Sequence, residues 1–153
     1  FDAWRRARRR IPHRVIAFVV MPDHLHVLVT MKDGRDDYSR LIQDFKKGFT
    51  RRVCNPHMAP SPWQSRFWEH TIRDDRDLVN HVDYIHINPV KHGNAIHAQD
   101  WKYSSLHRFI RTGAFPANWT KRSPGKRIAR TRDEECDTRS EPRVRPLALP
   151  GLR

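Results

Sequence analysis

The spacing of apolar and polar residues divides the chain into strands and helices. Residues 14–21, RVIAFVVM, are β-branched, aromatic and nearly all apolar, as expected of a strand buried on both faces. "MPDH" then offers a proline and an aspartate for a turn, so residues 24–31 are expected to pair back antiparallel. In that second strand the period is two: Leu25, Val27 and Val29 share one face, His24 and His26 the other. The aliphatic face is expected to meet the core. Ahead of the hairpin, FDAWRRARRR reads as the end of a basic helix stopped by Pro12. After it, KDGRDD is a loop in which Asp36 or Asp37 can cap a helix from about Tyr38 to Val53. Leu41, Phe45 and Phe49, spaced by four, give that helix an inward stripe. Past the Pro-rich NPHMAPSP, residues 66–73 (RFWEHTIR) predict a short aromatic strand. A helix from Asp75 to about Ile87 follows, broken at NPVKHG, then a last helix near Tyr103 to Arg111. This order, without βαβ spacing, predicts an α+β fold: an antiparallel sheet with helices on one face.

After Trp119 the pattern stops. The final 34 residues hold one aliphatic cluster (Leu147, Ala148, Leu149), no aromatics, and ten Lys or Arg against five acids. Residues 1–119 are therefore expected to form one domain and 120–153 a disordered basic tail. Over all 153 residues, 30 Lys and Arg against 17 Asp and Glu leave a net charge of +13. Such a surplus favours a polyanionic partner, nucleic acid ahead of an anionic membrane. No apolar run approaches the roughly 20 residues that span a bilayer. Cys54 and Cys136 lack CxxC spacing and read as reduced thiols, not a disulfide framework or a zinc site. The expectation is a cytoplasmic, nucleoid-associated protein with no membrane partner.

Two stretches carry candidate chemistry. His24 and His26 would stand ~6.5–7 Å apart along their strand, which suits two imidazoles converging on one ion. A structural histidine pair is the alternative. On the helix after Asp75, Leu78, Val82 and Ile85 form the apolar stripe. The opposite stripe reads Asp77, His81, Tyr84, Asn88, Lys91. Tyr84 is then either an amphipathic rim residue or a nucleophile. A phenol with a pKa of ~10 is a poor nucleophile unless a nearby divalent cation polarises the electrophile and stabilises developing charge. Lys91 can hold a phosphate oxygen. Asn88 can complete a His, His, amide shell at i+4 from Tyr84. It also precedes Pro89, where it can cap a new helical turn, and the two uses compete for one oxygen.

Together, VVMPDHLHVLV, WQSRFWEHTIRDDRDLVNHVDYIHINPVKHG (residues 63–93) and DWKYSSLHRFIRTG (residues 100–113) resemble the REP-associated tyrosine transposases, HUH-class enzymes of the single-tyrosine (Y1) type. The match runs over about residues 11–119. The resemblance implies a ferredoxin-like HUH nuclease fold in which His24 and His26 bind Mg²⁺ or Mn²⁺. It implies that Tyr84 attacks a phosphate in single-stranded DNA, leaving a 5′-phosphotyrosine and a 3′-hydroxyl. Asn88 stands where relatives place a third ligand. The implied partner is single-stranded DNA carrying a palindromic hairpin, and a homodimer is possible. In this setting Lys46, Lys47, Arg51, Arg52, Arg66 and Arg73 can neutralise phosphates. Trp63, Phe67 and Trp68 either stack on bases or belong to the core. The family pattern also implies a strand and most of a helix ahead of Phe1, the strand lying beside the histidine strand. The domain is therefore expected to be N-terminally incomplete, with unpaired backbone groups along that edge. Two functions are compatible with this: a nicking and joining enzyme, or a truncated relative that only binds hairpin DNA.

Overall fold

The computed structural model describes residues 2–32, 36–53, 62–64 and 67–120, and the backbone of residues 144–150. The strands are β1 (His13–Val20), β2 (His24–Met31), β3 (Trp68–Glu69) and β4 (Val144–Pro150). The α-helices are α1 (Asp2–Arg10), α2 (Tyr38–Val53), α3 (Asp75–Lys91) and α4 (Leu106–Arg111). β1 and β2 form the expected antiparallel hairpin, with Val20 opposite Leu25 and Val19 opposite His26. The register shifts between Val15 and Ala17. This extra residue lets Val15 and Phe18 pack on one side while Ile16, Ala17 and Val19 pack on the other.

The class is α+β with an antiparallel sheet, as the sequence pattern predicts. The helices cover both faces, where one was expected. Val27, Val29 and Met31 of β2 pack against Ala3 and Ala7 of α1 and Leu41, Ile42 and Phe45 of α2. On the opposite face, Ala17, Val19 and Leu28 pack against Val82 and Ile85 of α3, Leu106 of α4, and Phe115 and Trp119. The physical reason is Leu28: beyond the two histidines, their own face of β2 turns apolar and needs a cover of its own.

Three elements depart from the pattern. α3 does not stop at Ile87 but runs through Asn88 and Pro89 to Lys91. Its end is set by Gly93, whose φ of 69° is left-handed. There the Gly93 N–H bonds the Val90 carbonyl at 3.0 Å and the Asn94 N–H the Pro89 carbonyl at 2.8 Å, a Schellman cap. α4 starts at Leu106, because Ser104 bridges to Val19 and Ser105 is tied to β1. Ser105 Oγ accepts the Phe18 N–H at 2.8 Å and donates to the Phe18 carbonyl at 3.1 Å. Among the described residues of the predicted strand at 66–73, Trp68–Glu69 is the part that pairs as a strand.

The largest correction concerns the tail. Val144–Pro150 is a strand inserted between β2 and β3, giving the order β1-β2-β4-β3. It runs antiparallel to β2, with Pro150 opposite His24 and Ala148 opposite His26. Its Leu147–Leu149 stretch is the one aliphatic cluster after Trp119. β2 offers backbone donors and acceptors along the edge expected to lack a partner, and β4 takes them. The remainder of the expected tail, residues 121–143 and 151–153, lies outside the described residues.

Candidate active site

The strand alternation that buries Val27 and Val29 under α1 and α2 turns His24 and His26 toward α3. Their rings lie 5.0 Å apart, nearly perpendicular. α3 presents Tyr84, Asn88, Lys91 and His92 to them at i, i+4, i+7 and i+8, one stripe of a helix. Tyr84 meets His26 with ring centroids 5.4 Å apart. Asn88 places Oδ1 3.2 Å from His24 Nε2. The His92 ring stands 5.2 Å from that of His24, and Lys91 Nζ lies 4.8 Å from the centre of the Tyr84 ring. The sequence had left Asn88 between ligand and helix cap. Because α3 is continuous, Asn88 caps nothing and its amide faces the histidines.

The protonation pattern follows from the neighbours. Asp23 Oδ1 sits 2.6 Å from His24 Nδ1, which donates to it, so in the neutral ring the lone pair is on Nε2. The same hydrogen bond holds the Asp23 carboxyl below its usual value. His26 is pushed down to about 4, first by burial and then by the charge of His24, His92 and Lys91. It is therefore neutral at neutral pH, the state a metal ligand requires. Around an ion with bonds of about 2.1 Å, adjacent ligand atoms lie roughly 3.0–3.4 Å apart, the spread between octahedral and tetrahedral angles. His24 Nε2 and Asn88 Oδ1 meet that separation at 3.2 Å. Asn88 is fully buried, and its Nδ2 has no hydrogen-bond partner among the described residues. A donor set of two imidazoles and an amide oxygen fits a divalent cation with room for phosphate oxygens.

The remaining residues singled out by sequence are dispersed. Lys46 donates to the Gln64 carbonyl at 2.9 Å and Arg52 pairs with Asp2. Lys47 and Arg51 are exposed on the same helix, α2, which packs on the sheet face away from the histidines. Arg66 lies outside the described residues. Arg73 is exposed just before α3. Trp63 packs on Phe45 and Phe49, and Phe67 borders the same cluster, so both are core residues. Trp68 is 53% exposed. His86, on the buried side of α3, is structural: Nε2 lies 2.8 Å from Ser105 Oγ, and burial pushes its pKa down to about 3.

Sequence reasoning missed Asp23 and His92. Both had local signals, a carboxylate immediately before His24 and a histidine two turns beyond Tyr84 on the same stripe. It also missed a second polar group, in which His70, Asp77 and His81 bring ligand-type atoms within 4.8 Å of one another.

A family model described as "Transposase IS200 like" matches residues 3–88. The REP-associated tyrosine transposase of Escherichia coli K12 is 42% identical over 127 residues, covering 80% of this chain and 74% of that protein. A putative REP-associated tyrosine transposase of Haemophilus influenzae is 39% identical over 128 residues, covering 77% of this chain and 73% of that one. A solved REP-associated tyrosine transposase, bound to a REP hairpin, superposes with a TM-score of 0.72 at 40% identity. That match covers 83% of this chain and 77% of the solved one. The fold and the relatives are those of a transposase. The chain belongs to the IS200-like family, within its REP-associated tyrosine transposases. No helix among the described residues is long and apolar enough to cross a membrane.

Proposed function

We propose that this enzyme nicks and rejoins single-stranded DNA beside a palindromic hairpin, with Tyr84 as nucleophile and His24, His26 and Asn88 as ligands of Mg²⁺ or Mn²⁺. One observation carries the reading: on a single helix, Tyr84 abuts His26 at 5.4 Å while Asn88 puts Oδ1 3.2 Å from His24 Nε2. The hairpin seen on the solved relative and the net charge of +13 support DNA of that kind as substrate.

Tyr84 Oη attacks the scissile phosphorus, and the bond from phosphorus to the leaving 3′ oxygen breaks. A 5′-phosphotyrosine diester forms, and the proton lost by the phenol is balanced by one gained at the 3′-hydroxyl. The phosphodiester is exchanged rather than hydrolysed, so an incoming 3′-hydroxyl can reverse the step without ATP. A divalent ion bound at this site supplies Lewis-acid polarisation of a phosphoryl oxygen. Asp23 fixes the ring and tautomer of His24, and Lys91 stands beside the phenol where phosphate charge arrives.

The test is a 3′-labelled hairpin oligonucleotide incubated with Mg²⁺ or Mn²⁺. The expected product is a detergent-stable protein–DNA adduct that disappears in Tyr84→Phe while hairpin affinity is kept. Hairpin binding without any adduct in the unaltered protein would leave only a DNA-binding relative and overturn the enzymatic reading.

A further inference from the structure

The geometry points to a second DNA subsite at the start of α3: Trp68, backed by His70 and His81, is a stacking surface for one unpaired base of the strand flanking the hairpin, with Arg73 and Arg76 beside its phosphates. This inference rests on the proposed single-stranded DNA substrate and adds the place where the flank is held.

Trp68 is half exposed, although two aromatic rings pack behind it. Its indole is parallel to His70 within 13° at 5.9 Å and to His81 within 18° at 6.3 Å. The two imidazoles stack on each other at 4.9 Å. Asp77 locks them: His70 Nε2 donates to Oδ2 at 2.8 Å, and His81 Nδ1 donates to the Asp77 backbone carbonyl at 2.9 Å with Oδ1 also 2.9 Å away. The Arg73 backbone N–H donates to Oδ2 as well, at 3.1 Å. A platform with its supporting rings already fixed loses little entropy when a base lands on it. Every base has a π-face, so the surface needs no particular sequence.

The surroundings suit a phosphate backbone. A groove beside the stack is lined by His70, Arg73, Asp74, Arg76, Asp77 and Asn80. Its two acids are committed: Asp74 Oδ1 caps α3 by accepting the Asp77 N–H at 2.8 Å, and Asp77 holds the histidines. Arg73 and Arg76 are exposed. A divalent ion is the rival occupant of the His70–Asp77–His81 group. It would have to displace the proton joining His70 to the Asp77 carboxylate, whereas a base joins the stack without breaking that hydrogen bond.

Position on the helix gives the register. His81 and Asp77 precede Tyr84 by three and seven residues, about 5–10 Å of helix axis. At about 3.4 Å per stacked nucleotide, the held base lies one to three nucleotides from the phosphate attacked by Tyr84.

The experiment places 2-aminopurine at each flank position in turn of a hairpin oligonucleotide, in EDTA so that no cleavage occurs. Expected is fluorescence quenching at one position within about three nucleotides of the cleavage point. Trp68→Ala should abolish it and weaken binding about 5- to 150-fold, the effect of losing one stacked base. Trp68→Phe should retain quenching, and both variants should melt with the unaltered protein because the indole is half exposed. If Trp68→Ala leaves quenching and affinity unchanged while the hairpin still binds, the subsite is wrong and the DNA reading stands. If the unaltered protein binds no hairpin, both fail.

Discussion

Nε2 of His24 and Oδ1 of Asn88 face each other at 3.2 Å, while Asp23 accepts the Nδ1 proton of the same ring at 2.6 Å. Two lone pairs at that distance repel unless a cation or a proton lies between them. His24 comes from a hairpin and Asn88 from the last turn of α3, so an ion shared between them would staple helix to sheet.

Asn88→Ala should therefore weaken Mn²⁺ binding by about 10- to 100-fold, in the range seen when a metal site loses a supporting group. Adduct formation should fall in step. The rise in melting temperature on adding Mn²⁺ should shrink with it. Titration calorimetry with Mn²⁺ checks this; unchanged affinity would remove Asn88 from the ligand set.

Asp23 acts through His24. In Asp23→Ala the imidazole can turn or place its proton on Nε2, where it blocks the ion. Metal affinity should drop about tenfold or more, while hairpin affinity in EDTA stays near that of the unaltered protein. Asp23→Asn, which keeps an acceptor oxygen, should recover most of the loss. Equal defects in both variants would point to the charge of Asp23 rather than its hydrogen bond.

His86 makes the fold sensitive to acid. Its pKa falls from the ordinary 6.5 to about 3 because charging it means burying an ion among Phe109, Phe115 and Trp119. The unfolded chain takes up the proton as pH drops through 6.5 and the folded chain resists until about 3. Stability from the neutral ring is thus complete above pH 6.5 and lost between those values, at up to about 1.4 kcal/mol per pH unit. His26, lowered to about 4, and His13, also lowered by burial, add to the same slope. Chemical denaturation at pH 7 and pH 5 should show the decline, and His86→Gln should make it shallower, leaving the part due to His26 and His13. A variant with the full slope would place the sensitivity elsewhere.

Local periodicity made the hairpin, α2 and the histidine face of β2 legible, because each depends on neighbours two to four residues away. The end of α3 was not. Pro89 is a helix-stop signal, and only Gly93, adopting a left-handed φ four residues later, reveals the true cap. The meeting of Tyr84 with His26 could be expected from family resemblance but not from spacing, since 58 residues of sequence separate them. His92 lies past the helix end that Pro89 signals, so the stripe pattern does not reach it. β4 had only the aliphatic cluster at Leu147–Leu149 as a local signal, and two prolines, Pro146 and Pro150, argue against a central strand. It pairs because β2 needs a partner, a long-range cause invisible in any short window.

That cause makes β4 the element whose removal should be most informative. Deleting residues 144–153 leaves the partner-facing backbone of β2 and β3 to water, and with it the strand that carries both histidines. Each lost backbone hydrogen bond costs about 0.5–1.5 kcal/mol, so a ladder of this length is worth several kcal/mol even with prolines missing their donors. The truncated chain should melt more than about 10 °C lower. Hydrogen exchange should accelerate at β2 amides while α2, on the far face, stays protected. The site should loosen in parallel, with weaker Mn²⁺ binding, because Pro150 is paired directly opposite His24. An unchanged melting temperature together with unchanged exchange in β2 would mean that the segment is not a structural strand of this sheet.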